Sequence, residues 1–220
     1  MTDDLAAPGA QGKIDSVDLT PYLNPPSLVL VISGPSGVGK DATVKRMIEL
    51  GYPCGFVVTA TNRSPREGEV HGVDYYFVST AEFKRMIRDG ELLEYAVVYD
   101  EYKGVPKAEI TNALASRQDV VLRVDVQGAA RLRQVMPGAV SIFLTAPSEQ
   151  ELIRRLQARH TEVGEALQCR IAMARAEMRE LGKFDYVVFN REGQLDRTVE
   201  RILAIIAAEK SRTVQRKVTL

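Results

Sequence analysis

The sequence has few of the residues that form disulfides or bind zinc. Its 220 residues include two cysteines, Cys54 and Cys169, and two histidines, His71 and His160. Cysteines this few and this far apart are typical of free thiols in a reducing compartment, because disulfide frameworks and zinc clusters need several ligands. The sequence therefore argues against a disulfide-stabilised fold and against a zinc protein.

An excess of one charge and a long hydrophobic run are also missing. Lysine plus arginine and aspartate plus glutamate both total 29, so bulk charge does not indicate binding to nucleic acid or to an anionic membrane. No apolar run approaches the roughly 20 residues that span a membrane, and the acidic start Thr2-Asp3-Asp4 resembles neither a signal nor a transit peptide. With 45% hydrophobic and 26% charged residues, the chain is expected to form one main domain of a cytoplasmic globular protein. We expect no nucleic acid or membrane partner, and no protein partner is evident.

A glycine-rich loop between a hydrophobic run and a helical pattern is the strongest functional signal. The run is 28–32 and the helical pattern is 41–50; between them lie Gly34, Pro35, Ser36, Gly37, Val38, Gly39 and Lys40. Glycines let the backbone N–H groups turn inward and the helix N-terminus adds partial positive charge, so that the loop forms a cradle for phosphate. Lys40 is then placed to reach the outer phosphates of a nucleoside triphosphate. The alternative is a turn with an incidental lysine, but the flanking strand and helix are the context that a phosphate loop requires.

Asp41 departs from the usual phosphate-loop pattern, which places Ser or Thr after the lysine to meet magnesium. Thr43 is no simple replacement, because two residues along a helix correspond to a rotation of about 200°. A hard dication prefers oxygen ligands and keeps waters from which a carboxylate accepts hydrogen bonds, so we hypothesise that Asp41 holds Mg²⁺ directly or through a water. The alternative is that Asp41 caps its own helix.

Hydrophobic runs and helical patterns alternate along the chain. Strands are predicted at 28–32, 56–59, 75–78, 120–126, 140–144 and 186–189, and within 91–102 with a turn near Asp100. Helices are predicted at 41–50, 80–87, 107–116, 129–135, most of 148–181 and 195–210. The first of these helices is predicted to turn Val44, Met47 and Ile48 towards the core. This order indicates a parallel sheet with helices on both faces, where ligands bind at the carboxyl ends of the strands.

Two arginines and a tyrosine form a candidate phosphate site in the polar segment that follows residue 60. The guanidinium forks of Arg63 and Arg66 match phosphate oxygens bidentately, and the phenol of Tyr75 lies downstream. The alternative is that both arginines belong to the solvated surface.

Glu94 lies in a mostly apolar strand, where a carboxylate needs a partner. Its two oxygens match the N1–H and N2–H₂ edge of guanine, which offers two donors. Pairing with a lysine is the alternative.

A third cluster of charges lies in the arginine-rich helical stretch. Arg155 and Arg159 are one turn apart and share a face, and Arg170 joins them only if the helix continues past Gly164. The alternative is a helix surface salt-bridged to neighbouring glutamates. These glutamates are Glu149, Glu151 and Glu162.

Several segments resemble the guanylate kinase family in their order and spacing. They are Gly-Pro-Ser-Gly-Val-Gly-Lys at 34–40, Arg-Ser-Pro-Arg-Glu-Gly-Glu at 63–69, Gly-Val-Asp-Tyr-Tyr-Phe-Val at 72–78, Glu-Tyr-Ala at 94–96, Asp-Val-Gln-Gly at 125–128, and the arginines at 155 and 159. The match covers residues 28–210, and Gly-Lys-Asp with Glu-Tyr-Lys-Gly-Val-Pro is similar to the branch that includes plant plastid guanylate kinases.

The resemblance implies an α/β fold with a P-loop NTPase-type parallel sheet, an inserted β-rich GMP-binding domain and a helical lid. The implied boundaries are a flexible leader at 1–26, a kinase core formed by 27–58, 107–148 and 179–220, a GMP-binding domain at 59–106, and a lid segment at 149–178.

The resemblance also implies a role for each site residue. It implies that Arg63, Arg66 and Tyr75 hold the GMP phosphate, that Thr59 and Glu94 read guanine, and that Asp125 stands near GMP and the metal shell. It also implies that Arg155, Arg159 and Arg170 close over ATP as catalytic residues, with Asn190 near adenine.

Besides Asp41, four positions depart from the family pattern. Lys103 stands in place of a second phosphate-binding tyrosine and is predicted to contact the GMP phosphate, and Val105 stands in place of a hydroxyl that helps to read the base. Arg123 replaces an acidic residue, and His160 replaces a glycine of the lid. Strand alternation puts Arg123 on one face with Asp125, which suggests that the two side chains pair.

The function implied is an ATP:GMP phosphotransferase that uses Mg²⁺ and makes ADP and GDP. One alternative is a kinase of a phosphorylated sugar such as ribose 1,5-bisphosphate, against which the complete stretch from Arg63 to Tyr75 with Glu94 argues. The other is a non-catalytic guanylate-kinase-like binding module, against which Lys40 and the lid arginines argue.

Overall fold

The alternating pattern produces a five-stranded parallel sheet at the centre of the molecule. The computed structural model describes residues 18–98, 101–159 and 165–218. The strand order is β2-β7-β1-β8-β9 and all neighbouring pairs are parallel. The strands are β1 (Val29–Ser33), β2 (Cys54–Phe56), β7 (Asp119–Arg123), β8 (Val140–Thr145) and β9 (Tyr186–Phe189). This arrangement confirms the predicted fold class.

Helices cover both faces of this sheet. They are α2 (Lys40–Glu49), α4 (Lys107–Ala115), α5 (Val126–Val135), α6 (Glu149–Arg159), α7 (Glu165–Met178) and α8 (Leu195–Lys210), and the short α1 (Thr20–Leu23) precedes them. Alternate residues of β1 pack on opposite sides, since Leu30 contacts the cluster that contains α2 and α8, whereas Val31 contacts the cluster that contains α4 and α5. Because helices cover both of its faces, β1 is buried along its whole length and does not alternate between apolar and polar residues.

A second sheet is formed by the strands between Thr59 and Pro106. Its order is β4-β3-β6-β5, with β3 antiparallel to β6 and parallel to β4. The strands are β3 (Thr59–Thr61), β4 (Tyr75–Phe77), β5 (Leu92–Val98) and β6 (Glu101–Pro106), and α3 (Thr80–Arg88) packs Phe83 into a small core of its own. The predicted domain boundaries at 59 and 106 coincide with the ends of this sheet but remain a prediction.

The predicted strand 56–59 is wrong. β2 ends at Phe56 in the central sheet, and β3 begins at Thr59 in the second sheet. Val57 still donates its N–H to the Val121 carbonyl at 3.1 Å, so the chain leaves the central sheet only after this bond. The hydrophobic residues continue from β2 into β3, because the central sheet buries one end of this segment and the second sheet buries the other.

The boundary between β7 and α5 also differs from the prediction. The strand ends at Arg123 and the helix begins at Val126, three residues before the predicted start. Asp125 is the N-cap, and its carboxylate accepts from the Gly128 N–H at 2.8 Å. A capping aspartate ends the strand pattern that Val124 and Val126 suggested.

Three further predictions concern helices. Val44 and Met47 are buried as predicted, but Ile48 is 52% exposed. The arginine-rich stretch is two helices, α6 and α7, separated by 160–164, which lie outside the described residues together with His160 and Glu162. Of the predicted leader, residues 1–17 lie outside the described part, and 18–26 include the exposed helix α1.

Within the described ranges, no helix combines the length and apolar character that a membrane crossing requires. Cys54 and Cys169 are both free thiols, as expected.

Candidate active site

A cleft lies where the carboxyl ends of β1 and β7 face the second sheet. Its wall combines residues of the glycine-rich loop, of the two sheets and of α7. The lining residues are Gly34, Ser36, Gly37, Gly39, Lys40, Asp41, Thr59, Arg63, Arg66, Tyr75, Glu94, Lys103, Gly104, Arg123, Val124, Asp125 and Glu177. Most of the predicted loop and acceptor residues therefore meet in one place.

The glycine-rich loop between β1 and α2 requires glycine at two crowded positions. Gly34 has φ 141°, and a Cβ there would overlap the Leu144 carbonyl oxygen. Gly39 has φ 92° and leads directly into α2, where a Cβ would overlap the Asn190 amide. The loop thus presses against strand ends behind it, which leaves its other side open to the cleft.

Lys40 folds its side chain back over the loop. Its Nζ donates to the Gly34 carbonyl at 2.6 Å and to the Pro35 carbonyl at 3.0 Å. Burial lowers the pKa of Lys40 to about 8, while the nearby Glu177 and Asp41 charges oppose this shift. The ammonium group is therefore held at the loop, in the place where the sequence predicts phosphate contact.

Asn190 supports the loop from behind. Its Nδ2 donates to the Val38 carbonyl at 2.9 Å, and its Oδ1 accepts from Thr198 Oγ1 at 3.0 Å. The side chain is buried, and Asn190 is not among the described residues that line the cleft. The predicted contact with adenine stays a prediction, and in this structure the amide holds the loop.

The arginines of the second sheet lie beside Tyr75. Arg63 makes two hydrogen bonds to the Glu69 carboxylate, at 2.7 and 2.9 Å, and its Cζ lies 5.1 Å from the centre of the Tyr75 ring. Glu69 also accepts from the Arg66 backbone N–H at 2.7 Å. This carboxylate therefore orders both arginine positions. Burial raises the pKa of Tyr75, while the Arg123 charge opposes the rise.

Glu94 is a buried carboxyl group in the cleft wall. Its residue is 6% exposed, and its Oε2 has no hydrogen-bond partner among the described residues. Burial raises the pKa of Glu94 to about 8, and the Asp125 charge adds to the rise. A Cβ on Gly128 would lie 3.1 Å from Glu94 Oε1, so the glycine gives the carboxyl group its space. Among the described residues, no lysine pairs with Glu94 as the alternative expected.

Thr59, Lys103 and Val105 differ in what they present to the cleft. Thr59 and Lys103 line it, as predicted for contacts with base and phosphate. Val105 is fully buried and packs with Ile110 in the apolar cluster beneath the cleft. At position 105 the chain therefore offers no polar group.

The suggested pair of Arg123 and Asp125 is wrong. Arg123 Nη1 forms an ion pair with Asp41 Oδ1 at 3.0 Å, and its Nη2 donates to the Asp74 carbonyl at 2.7 Å. Asp125 instead caps α5. Strand alternation did not predict the partner of Arg123, because the carboxylate that pairs with it comes from α2.

Asp41 lines the cleft at the first turn of α2, and 39% of its side chain is exposed. Its carboxylate faces Arg123 as well as the cleft, so that both the metal hypothesis and the helix-cap alternative stay predictions. Thr43 Oγ1 donates to the Gly39 carbonyl at 2.9 Å, which agrees with its exclusion as a metal ligand.

Comparison with known proteins identifies the family. A family model described as guanylate kinase matches residues 27–209. A protein of Oryza sativa subsp. japonica named guanylate kinase 2, chloroplastic/mitochondrial, is 51% identical over 202 residues, which are 91% of this chain and 71% of that protein. A guanylate kinase of Caldanaerobacter subterraneus subsp. tengcongensis is 44% identical over 190 residues, 86% of this chain and 91% of that protein. The chain belongs to the guanylate kinase family.

A solved structure supports the same assignment. The crystal structure of guanylate kinase from Anaplasma phagocytophilum matches with a TM-score of 0.70 and 30% identity, and covers 86% of this chain and 88% of that one. The resemblance inferred from the motifs is confirmed, and the function of the chain is that of a guanylate kinase, a nucleoside monophosphate kinase.

The lid arginines of this family member do not line the cleft where the structure describes them. Arg155 donates to the Asn190 carbonyl at 2.8 Å and pairs with Glu151, as the salt-bridge alternative expected. Arg170 lies on α7 and therefore on a different helix from Arg155. The side chain of Arg159 lies outside the described residues.

Glu177 is a cleft residue that the sequence reasoning missed. It lies near the end of α7 and lines the cleft beside the glycine-rich loop, with one carboxyl oxygen buried and without a hydrogen-bond partner in the described part of the chain. Burial raises the pKa of Glu177, whereas the Lys40 charge lowers it. Its position seven residues after Arg170, two helical turns along one face, was an available signal.

Proposed function

We propose that the cleft binds ATP on its loop side and GMP on the side of the second sheet, and transfers the γ-phosphoryl group between them. The observation that carries this proposal is the cleft itself, in which Lys40 and the glycine-rich loop lie opposite Arg63, Tyr75 and Glu94. Two phosphate-binding regions that share one cleft suit the transfer of a phosphoryl group from one nucleotide to another.

On the donor side, the loop N–H groups and Lys40 bind the phosphates of ATP. Mg²⁺ is the implied cofactor, and it supplies charge neutralisation on the donor phosphates when it is bound. The described residues include no group of three or more His, Cys, Asp or Glu placed to hold a metal. This donor set fits an ion held mainly by phosphates and waters, with the exposed carboxylate of Asp41 as its protein contact, direct or through a water.

On the acceptor side, Arg63, Arg66, Tyr75 and Lys103 bind the GMP phosphate. Thr59 and Glu94 read the guanine base, and Asp125 lies close to GMP. The unpartnered Glu94 oxygen supports the base assignment, because a buried acceptor without a donor is costly until a ligand supplies one.

Catalysis in such a site consists of positioning and charge stabilisation, since the protein forms no covalent bond to the phosphoryl group. We assign Arg155, Arg159 and Arg170 to the transferring group after movement of the lid segment. Closure also excludes water, which otherwise accepts the phosphoryl group.

A coupled assay of ADP release with different acceptors tests the proposal. Adenine offers no donor at either position that Glu94 reads, so we expect kcat/KM for GMP to exceed that for AMP by orders of magnitude. Because Val105 removes one polar contact, we expect this ratio to lie at or below about 10⁴. We expect dGMP to be accepted, and UMP and ribose 1,5-bisphosphate to be rejected. Comparable kcat/KM values for AMP and GMP would contradict the role of Glu94, and preference for the sugar would contradict the acceptor assignment.

We retain the cytoplasmic location and the absence of a nucleic acid, membrane or protein partner as predictions. The rice relative is named chloroplastic/mitochondrial, whereas the other relatives compared are bacterial proteins. Localisation of a tagged full-length chain in its own cells tests the location.

A further inference from the structure

Arg123 connects three parts of the molecule. It is the last residue of β7 in the central sheet, and its Nη1 pairs with Asp41 of α2 at 3.0 Å. Its Nη2 donates to the Asp74 carbonyl, just before β4 of the second sheet, at 2.7 Å, and its Cζ lies 4.4 Å from the centre of the Tyr75 ring. The guanidinium group is therefore held against the ring, with its position set from both sides of the cleft.

This guanidinium group retains capacity for a ligand. Arg123 lines the cleft, its side chain is 12% exposed, and its buried Nε has no hydrogen-bond partner among the described residues. A guanidinium has five N–H donors, of which the contacts with Asp41 and Asp74 use two. The terminal nitrogens each keep one further N–H group, from which an anion in the cleft would accept.

The neighbouring arginine is already occupied. Both terminal nitrogens of Arg63 bind the Glu69 carboxylate, so that its fork faces a negative charge of its own chain. Because Glu69 neutralises part of the Arg63 charge, less positive charge near Tyr75 is available to a phosphate than the presence of Arg63 alone suggests. Arg123, on the same Tyr75 ring, adds a second guanidinium there.

We propose that Arg123 binds the phosphate of the acceptor nucleotide, and that Asp41 and the Asp74 carbonyl orient its guanidinium group for this contact. The proposal rests on the proposed function, since it assigns a further residue to the acceptor side of that cleft. It gives Arg123 a role that its ion pair alone does not require. An arginine that only tied the two sheets together would affect binding of every part of the ligand equally.

Titration calorimetry with GMP tests this proposal, together with competition experiments with guanosine, which lacks the phosphate. For Arg123→Gln we expect GMP affinity to fall roughly ten- to hundredfold, as for loss of a charge-assisted hydrogen bond, and guanosine affinity to stay within about twofold of the parent. Unchanged GMP affinity would overturn the proposal. An equal loss for GMP and guanosine would also overturn it, since that result indicates a structural tie only.

Arg133→Gln is the matched control. Arg133 also donates to a backbone carbonyl, that of Lys183, and covers an aromatic ring, with its Cζ 5.8 Å from the centre of Phe184. It lies outside the cleft, so we expect GMP affinity within twofold of the parent. A loss in this variant as large as that in Arg123→Gln would attribute the effect to general destabilisation and overturn the proposal.

Arg123→Lys is the second test variant, to be used if Arg123→Gln does not fold. Lysine keeps the charge but not the planar fork, so we expect a smaller loss of GMP affinity, about threefold to tenfold, again with guanosine unchanged. GMP affinity equal to that of the parent would overturn the proposal. A parent chain that itself fails to bind GMP contradicts the proposed function, and with it the inference, whereas a parent that binds GMP leaves the variants to decide the inference alone.

Discussion

The second sheet and the lid segment both carry arginines, but they hold them differently. Arg63 lies in the cleft wall, ordered by Glu69 and by the Tyr75 ring. Arg155, on α6, pairs with Glu151 and donates to the Asn190 carbonyl, outside the cleft lining. The residues that we propose for the acceptor therefore lie together in this structure, while Arg155 is engaged outside the cleft.

The difference follows from the elements that carry the side chains. Residues of the second sheet are set by backbone pairing of strands, as where Thr59 lies opposite Tyr75 and Thr61 opposite Lys103. Residues of α6 and α7 are set by helices that pack on the core through a few apolar side chains, among them Leu156 and Ile171. We infer from this difference that GMP binding needs little rearrangement of the second sheet, and we propose that phosphoryl transfer needs movement of the predicted lid segment.

The largest expected effect separates binding from transfer. Arg155→Gln should lower kcat roughly a hundredfold or more, because it removes an arginine that we assign to the transferring group. GMP affinity should change little, because Arg155 lies outside the acceptor side. Steady-state kinetics and GMP titration of the same preparation measure both quantities.

The control for this variant is Arg175→Gln. Arg175 also forms an ion pair with a glutamate of α6, Glu149, but both side chains are more than half exposed. We expect parental kcat in this variant. If Arg155→Gln lost GMP affinity as much as kcat, the two regions would not differ as described.

Lys103→Ala should produce the next largest effect, confined to the acceptor. Removing a charge-assisted contact with the GMP phosphate should raise the KM for GMP by about ten- to hundredfold, with the KM for ATP nearly unchanged. Lys84→Ala, at an exposed position of α3, is the control. Unchanged GMP affinity in calorimetry would reduce Lys103 to a solvated lysine at a strand.

The pH dependence of GMP binding tests Glu94. Its pKa is about 8 in the free protein because the carboxyl group is buried, and the guanine donors stabilise the ionised form. The pKa in the complex is therefore lower, a proton leaves on binding, and GMP affinity should rise by up to about tenfold per pH unit below pH 8 and then level off.

Glu94→Gln separates this effect from ionisation of the GMP phosphate. The variant has no titrating group at position 94, so only the contribution of the phosphate should remain in its pH profile. A parent profile identical in shape to that of Glu94→Gln would contradict ionisation of Glu94 on binding.

The smallest expected effect concerns the metal. Asp41→Ser removes a negative charge near the ATP phosphates, so metal-free ATP binding should improve, and the gain in affinity from Mg²⁺ should decrease. Because Arg123 already neutralises part of the Asp41 charge, we expect changes of only severalfold. Calorimetric ATP titrations with and without Mg²⁺ measure this, and an equal Mg²⁺-induced gain in variant and parent would make Asp41 a helix cap.

Much of the fold followed from local patterns in the sequence. The predicted bounds of β9 and α8 agree with the structure, because each is a well-bounded apolar pattern. The start of α5 was missed, since Val124 and Val126 continue a strand-like run and only the Asp125 cap ends it. The split between β2 and β3 was missed because a buried run does not reveal which sheet buries it.

Contacts between distant elements could not be predicted from the sequence. The motifs placed Arg63, Tyr75 and Glu94 in one cleft, but Arg123 met Asp41 rather than Asp125, the partner that strand alternation suggested. Glu177 entered the cleft from a helix that looked like a charged surface. In both cases the decisive information is the relative placement of elements, which local periodicity does not contain.

Calorimetric titration of GMP, with and without a non-hydrolysable ATP analogue, tests the difference between the two regions most directly. We predict that GMP binds in the absence of the analogue, and that the analogue changes its affinity by less than about tenfold, since the acceptor side is already assembled. GMP binding that appears only after the analogue is added would contradict this account, because the acceptor side would then depend on closure of the lid segment.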